Sequence, residues 1–152
     1  TGGDFDESNH RISPTILDNV VWEDPVMHEE IFGPILPVLT FSDLNEVIEA
    51  VNSRPRPLAL YLFTNNKEAE KKIINSISFG GGCINDTIVH LATSYMPFGG
   101  VGESGMGSYH SKWSFDTFTH EKSIMKKSFS IDLKLRYPPY KEKLGVLKKL
   151  MK

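Results

Sequence analysis

An α/β fold built on a parallel sheet is the class this sequence predicts, and three observations carry the prediction. Residues 35–41, 58–63 and 83–89 are short apolar runs that read as buried strands. The stretches between them place apolar residues at helical spacing. Strand and helix therefore alternate, as parallel strands joined by crossover helices require.

The first run, Ile35-Leu-Pro-Val-Leu-Thr-Phe41, is partly β-branched, and Pro37 sits near its beginning, where a missing N–H is tolerated. A helix is expected next. Ser42 can cap it, Asp43 suits the positive end of the helix dipole, and Leu44, Val47, Ile48 and Val51 fall on one face. Arg54-Pro-Arg-Pro57 stops it. Leu58-Ala-Leu-Tyr-Leu-Phe63 is the second strand. Asn65, with Glu68 three residues later, resembles a capping box opening a second helix, whose buried stripe is Ala69, Ile73, Ile74 and Ile77. Gly80-Gly-Gly82 ends that element, and Cys83-Ile-Asn-Asp-Thr-Ile-Val89 reads as the third strand.

The character then changes. Pro97-Phe-Gly-Gly-Val-Gly-Glu-Ser-Gly-Met-Gly107 holds five glycines in eleven residues, which predicts a shaped loop where backbone approaches something closely. Residues 109–118 read as an aromatic-rich helix and residues 119–128 as a strand, followed by a basic tail containing Tyr137-Pro-Pro-Tyr140. No internal repeat or low-complexity tract appears.

The bulk properties bound the function. At 152 residues and 39% hydrophobic content the chain suits one packed domain. It opens on Thr1 with no Met, charged leader or apolar leader segment, which predicts a start within a longer protein and no secretory signal. The single Cys83 excludes an internal disulfide and fits a reducing, cytoplasmic setting. No stretch approaches the roughly 20 apolar residues of a spanning helix. The net charge of −2 hides an asymmetry: residues 1–119 carry 7 Lys/Arg against 16 Asp/Glu, and residues 120–152 carry 10 against 3. That basic end lacks interleaved stacking aromatics and any nucleic-acid motif, so a solvated tail or a subunit contact is the expectation and nucleic acid is not.

Glu29-Glu-Ile-Phe-Gly-Pro34 resembles the Glu-Ile-Phe-Gly-Pro signature of aldehyde dehydrogenases, and Pro97-Phe-Gly-Gly100 follows at a matching distance. Further segments are similar to the class 3 branch: Arg56-Pro-Leu-Ala-Leu-Tyr61, Asn85-Asp86 with His90, Gly102-Glu-Ser-Gly-Met-Gly107, Tyr109-His110, Ser114-Phe-Asp-Thr-Phe118 and Arg136-Tyr-Pro-Pro139. The resemblance covers nearly the whole chain. It implies that residues 1–118 are the C-terminal part of a catalytic domain, 119–130 an oligomerisation strand and 131–152 a basic tail. It also implies a homodimer acting on a small aldehyde with NAD or NADP.

By the same resemblance Glu30 accepts hydrogen bonds from the nicotinamide ribose hydroxyls and Phe32 holds the nicotinamide ring. Both roles suit the chemistry: a carboxylate accepts from two hydroxyls, and an aromatic side chain is a rigid apolar surface. Gly33 and Pro34 shape the turn that carries them. An isolated Glu-x-Phe would read instead as an exposed acid and a core aromatic; the six-residue match favours the cofactor role. Phe98 stands, by analogy, near the aldehyde tunnel, with a plug beneath the glycine loop as the equal alternative.

Several features are decoys. Gly100-Val-Gly-Glu-Ser-Gly105 has the spacing of a dinucleotide fingerprint, with Glu121 downstream, but follows Met96-Pro-Phe98 rather than a strand. Cys83 runs into an expected strand, where cysteine behaves as a small hydrophobe, and lacks the Gly-Gln-x-Cys setting of the family's nucleophile. His10, His28, His90, His110 and His120 show no metal-ligand spacing, and His90 and His110 read as structural. Asn85-Asp-Thr87 matches a glycosylation pattern without a secretory context.

The family reaction oxidises aldehydes to carboxylic acids through a cysteine thiohemiacetal and thioester, and needs an activated cysteine, oxyanion donors and a glutamate base. No segment here matches the nucleophile or base motif, so the chain alone is expected to be inactive. The alternative is a non-catalytic assembly module that adds residues 119–128 as a strand to a partner subunit. A third reading makes Leu144, Val146, Leu147, Leu150 and Met151 the apolar face of a membrane-surface helix; assembly is favoured over it.

Overall fold

The computed structural model describes residues 1–132, 134–140 and 144–150. The chain divides into two units, Thr1–Phe118 and Thr119–Lys152.

The first unit opens with an antiparallel hairpin, β1 (Phe5–Asp6) against β2 (Arg11–Ile12). Asp6 organises its turn, accepting from Ser8 Oγ at 2.6 Å and from the Asn9 N–H at 3.2 Å. β3 (Thr15–Leu17) follows and pairs in parallel with β4 (Ile35–Pro37), Thr15 facing Ile35 and Leu17 facing Pro37. Thr15 is buried and polar, yet satisfied: its Oγ1 accepts from the Gly3 N–H and donates to the Ser13 carbonyl. The first expected strand is thus real but short, with the Val38 N–H bonding to Leu17 O one residue past it.

Helix α1 (Leu44–Asn52) turns Leu44, Val47, Ile48 and Val51 half inward, as the spacing predicts. Its cap is Asp43 rather than Ser42: Asp43 Oδ1 accepts from the Asn45 N–H at 2.9 Å. Ser42 instead pairs with Glu46 through both its N–H and its hydroxyl. Strand β5 (Ala59–Leu62), helix α2 (Lys67–Ser76) and strand β6 (Gly81–Ile84) form the expected crossover, with β5 and β6 parallel and Tyr61 opposite Cys83. Gly82 is needed there, because a Cβ would lie 2.0 Å from Leu60 O. Asn66, not Asn65, caps α2 by accepting from the Glu68 and Ala69 N–H groups. Ile73 and Ile77 are the buried hydrophobics among the described residues, whereas Ile74 of the expected stripe is exposed.

The third strand differs from the expected 83–89. It starts two residues earlier and ends at Ile84, because Asn85 takes a left-handed conformation with φ 58°. Asn85 tolerates this because its carboxamide replaces the ladder, accepting from the Thr64 N–H at 2.8 Å and donating to Thr64 O at 3.0 Å. Both ends of the glycosylation-pattern amide are therefore engaged. A 3-10 turn, Val89–Leu91, then leads to the glycine loop, and helix α3 (Lys112–Phe118) is shorter than the expected 109–118. Strained backbone at His110 (φ 93°) and Ser111 (φ 48°) delays the helix start.

In the second unit residues 119–128 carry no strand. A strand is defined by its ladder, and one chain offers this segment none; Ile124 and Met125 stay exposed. The unit has a 3-10 turn, Lys134–Arg136, and helix α4 (Leu144–Leu150). Met151 of the expected surface helix lies outside the described residues. No helix among the described residues is long and apolar enough to cross a membrane.

Candidate functional site

Between β3 and β4 the chain makes a loop fastened at both ends. At its beginning the 3-10 turn Pro25–Met27 closes with the His28 N–H on Pro25 O, and the His28 Nε2 lies 3.2 Å from Glu23 O. At its end the Thr15 N–H donates to Pro34 O at 2.8 Å. Between these anchors Phe32 is held at φ 42° and is 91% exposed. A bulky residue in the left-handed region costs about 1–2 kcal/mol, and an exposed ring recovers nothing from burial here. The loop therefore holds an aromatic ring outward at the expense of local strain.

That ring faces an open groove of about 740 Å³ lined by Glu30, Phe32, Arg56, Leu58, Ala59 and Glu103, with Pro55, Pro57 and Ser104 completing it. Sequence reading brings Glu30 and Phe32 to one site, and the structure places both on this groove. Arg56 and the pair Glu103 and Ser104 come from distant segments that both belong to the class 3 resemblance, but nothing in the sequence joins them to Glu30 and Phe32. The Arg56 N–H reaches Glu103 Oε2 at 3.3 Å. The Glu103 backbone N–H and then that of Arg56 hold the Glu103 carboxyl below the ordinary carboxylate range. The volume lies within the range of small-molecule sites, and the lining combines acceptor oxygens, a flat ring and an apolar wall. Sugar hydroxyls beside a planar heterocycle fit such a surface.

Phe98 is not on this groove. It is half-buried in an aromatic cluster, with ring centroids 5.4 Å from Tyr109, 5.6 Å from His90 and 6.4 Å from His110, and its backbone pairs with Tyr109 in both directions. The neighbouring Gly99 and Gly100 pack on Gly80, where a Cβ would meet Gly99 O at 2.3 Å and Leu58 O at 2.6 Å. His90, buried, has Nδ1 3.5 Å from Cys83 Sγ, and its Nε2 has no hydrogen-bond partner among the described residues. Cys83 lies within β6, as a strand residue should, and no group of three potential metal ligands converges among the described residues. A second aromatic, Trp22, was not singled out by the sequence; Arg54 lies 3.8 Å above its ring and donates to Ala50 O, tying the loop to α1.

The model of the aldehyde dehydrogenase family matches residues 1–124 of the chain. The chain belongs to the aldehyde dehydrogenase family. Its relatives within that family include 4,4'-diaponeurosporen-aldehyde dehydrogenase of Staphylococcus aureus, 53% identical over 99% of this chain and 33% of the relative. The dimeric NADP-preferring aldehyde dehydrogenase of Rattus norvegicus is 49% identical over 94% of this chain and 32% of its own length. The solved substrate-bound state of Staphylococcus aureus AldH superposes with a TM-score of 0.89 at 53% identity, covering all of this chain and 33% of that one. The α/β architecture with parallel strand pairs is therefore that of the aldehyde dehydrogenase fold, within its class 3 branch. The chain spans about a third of the length of these aldehyde dehydrogenases.

Proposed function

We propose that this chain is the cofactor-facing part of an enzyme that oxidises aldehydes to carboxylic acids with NAD or NADP. The observation that carries the reading is the Glu30 and Phe32 pair on one groove, with Phe32 held outward against its backbone preference. Glu30 would accept hydrogen bonds from the hydroxyls of the nicotinamide ribose and so hold the cofactor in the groove. Phe32 would bear on the nicotinamide ring, and Leu58 and Ala59 supply apolar surface in the same groove. The bound nicotinamide supplies the hydride acceptor. Phe98 lines the aldehyde entrance from its cluster with Tyr109 and His90, which suits an apolar substrate. The lone Cys83 fits a reducing cytoplasmic setting.

Glu30→Gln in the full-length enzyme tests this. A charge-assisted hydrogen bond is worth about 1.5–3 kcal/mol, so single-turnover hydride transfer is expected to slow by roughly 10–100-fold. The loss should fall on rate more than affinity, because transfer demands close alignment. An unchanged hydride step removes Glu30 from this role.

A second role is subunit contact, supported by the exposed Ile124 (78%) and Met125 (95%) in the segment 119–130. Added as a strand to a partner's sheet, these side chains would be covered and the open backbone paired. The rat relative's description as dimeric agrees with a homodimer. Ile124→Lys with Met125→Lys should shift the sedimentation of the full-length protein from dimer to monomer; an intact dimer contradicts the contact.

A further inference from the structure

Residues 55–57 form one wall of the groove, and their sequence is Pro-Arg-Pro. The two prolines have no N–H, so Arg56 carries the only backbone donor in the segment. On the carbonyl side the wall is already fixed: the Gly80 N–H donates to Pro57 O at 3.1 Å and the Gly81 N–H to Leu58 O at 3.0 Å. On the donor side the Arg56 N–H has Glu103 Oε2 as its partner, 47 positions away in sequence.

Glu103 stands on a tight platform. It lies in the 3-10 turn Gly102–Ser104, entered through Gly102 at φ 60°. Ser104 Oγ accepts from the Val101 N–H at 2.9 Å and donates to Val101 O at 3.0 Å, closing the turn. The turn folds so closely on Gly100 that a Cβ there would lie 2.2 Å from Ser104 O. A carboxylate on such a base transmits the position of the glycine loop to whatever it holds.

We propose that Glu103 is a positioning residue for the cofactor: its carboxylate pins the 55–57 wall to the glycine loop and so fixes the groove opposite Phe32. The inference rests on the cofactor reading above. At 3.3 Å the bond is at the long end for N–H···O, a geometry that tightens when a ligand closes a site. Because the wall lines the same groove as Glu30 and Phe32, and Phe98 does not, loosening it should act on the cofactor and not on the aldehyde.

In the full-length enzyme, Glu103→Ala is expected to raise the KM for NAD or NADP by about 3–10-fold and leave the aldehyde KM within twofold. Glu103→Gln keeps an acceptor oxygen at the same reach and should restore most of the loss. Hydrogen exchange at the Arg56 amide, the one exchangeable backbone site in residues 55–57, should accelerate in the alanine variant and recover in the glutamine one. Should the alanine variant not fold, Glu103→Asp, one methylene short, takes its place with the same expected shift. Equal behaviour of the Gln and Ala variants, a change confined to the aldehyde KM, or unaltered Arg56 exchange would overturn the role. Glu30→Gln and Phe32→Ala run alongside separate the two claims. If they alter cofactor kinetics and the Glu103 variants do not, this inference alone fails; if none does, the cofactor reading fails with it.

Discussion

Phe32 separates strain from function, because its ring and its backbone make opposite demands. At φ 42° any side chain with a Cβ is strained by about 1–2 kcal/mol, and glycine is not. Phe32→Ala removes the ring but keeps the strain; Phe32→Gly removes both. Glycine adds freedom to the unfolded chain, which costs about 0.4–1 kcal/mol. At central values the glycine variant should be the more stable by about 1 kcal/mol, roughly fivefold in the unfolding equilibrium, where an unstrained loop would favour alanine. With 91% of the residue exposed, little apolar burial is lost in this unit in either variant, so the comparison isolates the backbone. Urea unfolding of the two full-length variants, read at equal slopes, gives the difference. Both should lose hydride-transfer rate to the same extent, because both lack the ring. An alanine variant more stable than the glycine one refutes the claim that the loop stores strain to present Phe32.

Other perturbations follow from single contacts. Asn66→Ala removes the acceptor for the Glu68 and Ala69 N–H groups and should destabilise α2 by about 1 kcal/mol, visible as faster amide exchange at those two residues. Gly80→Ala drives a Cβ to 2.3 Å from Gly99 O and 2.6 Å from Leu58 O, both backbone atoms, so about 1–3 kcal/mol of overpacking and a weaker cofactor affinity are expected; unchanged thermal unfolding contradicts this. Asp43 is held below its ordinary value of 3.8 first by the Asn45 N–H, and Glu46 below 4.5 first by the Ser42 hydroxyl. Carboxyls depressed by folding stabilise the fold above those ordinary values and lose that contribution as pH falls through the lower folded ones. The first turn of α1 should therefore lose amide protection below about pH 4, and protection that grows on acidification would contradict the capping geometry.

The helices were legible because burial imposes a period that a few residues reveal: Leu44, Val47, Ile48 and Val51 do face inward. Their caps were legible only to one residue. Ser42 and Asp43, like Asn65 and Asn66, are adjacent residues of cap-forming type, and tertiary placement decides between them. β3 escaped notice because Thr15-Ile16-Leu17 is three residues between Pro14 and Asp18, too short for any period to show. The end of β6 depends on a left-handed Asn85 whose side chain bonds to Thr64, a long-range fact with no local trace. The strand expected at residues 119–128 rests on the family resemblance and not on a period, since the apolar Ile124 and Met125 are adjacent, and a strand needs a partner to pair with.

At the site, Glu30 and Phe32 were legible from a six-residue motif whose neighbours resemble a known family. The opposite wall was not. Arg56 lies in a proline-rich helix stop and Glu103 in a glycine loop, each within a class 3 segment, and only folding makes them partners. Phe98 was legible as an aromatic near the glycine loop, but its neighbours His90 and the adjacent Tyr109 and His110 come from two further segments of chain.

The most direct measurement of the central claim is a structure of the full-length protein with NAD or NADP bound. It should show the nicotinamide ribose hydroxyls within about 3 Å of the Glu30 carboxylate and the ring against Phe32. A cofactor seated elsewhere, with Glu30 turned to solvent and the groove beside Arg56 filled only by water, would contradict it.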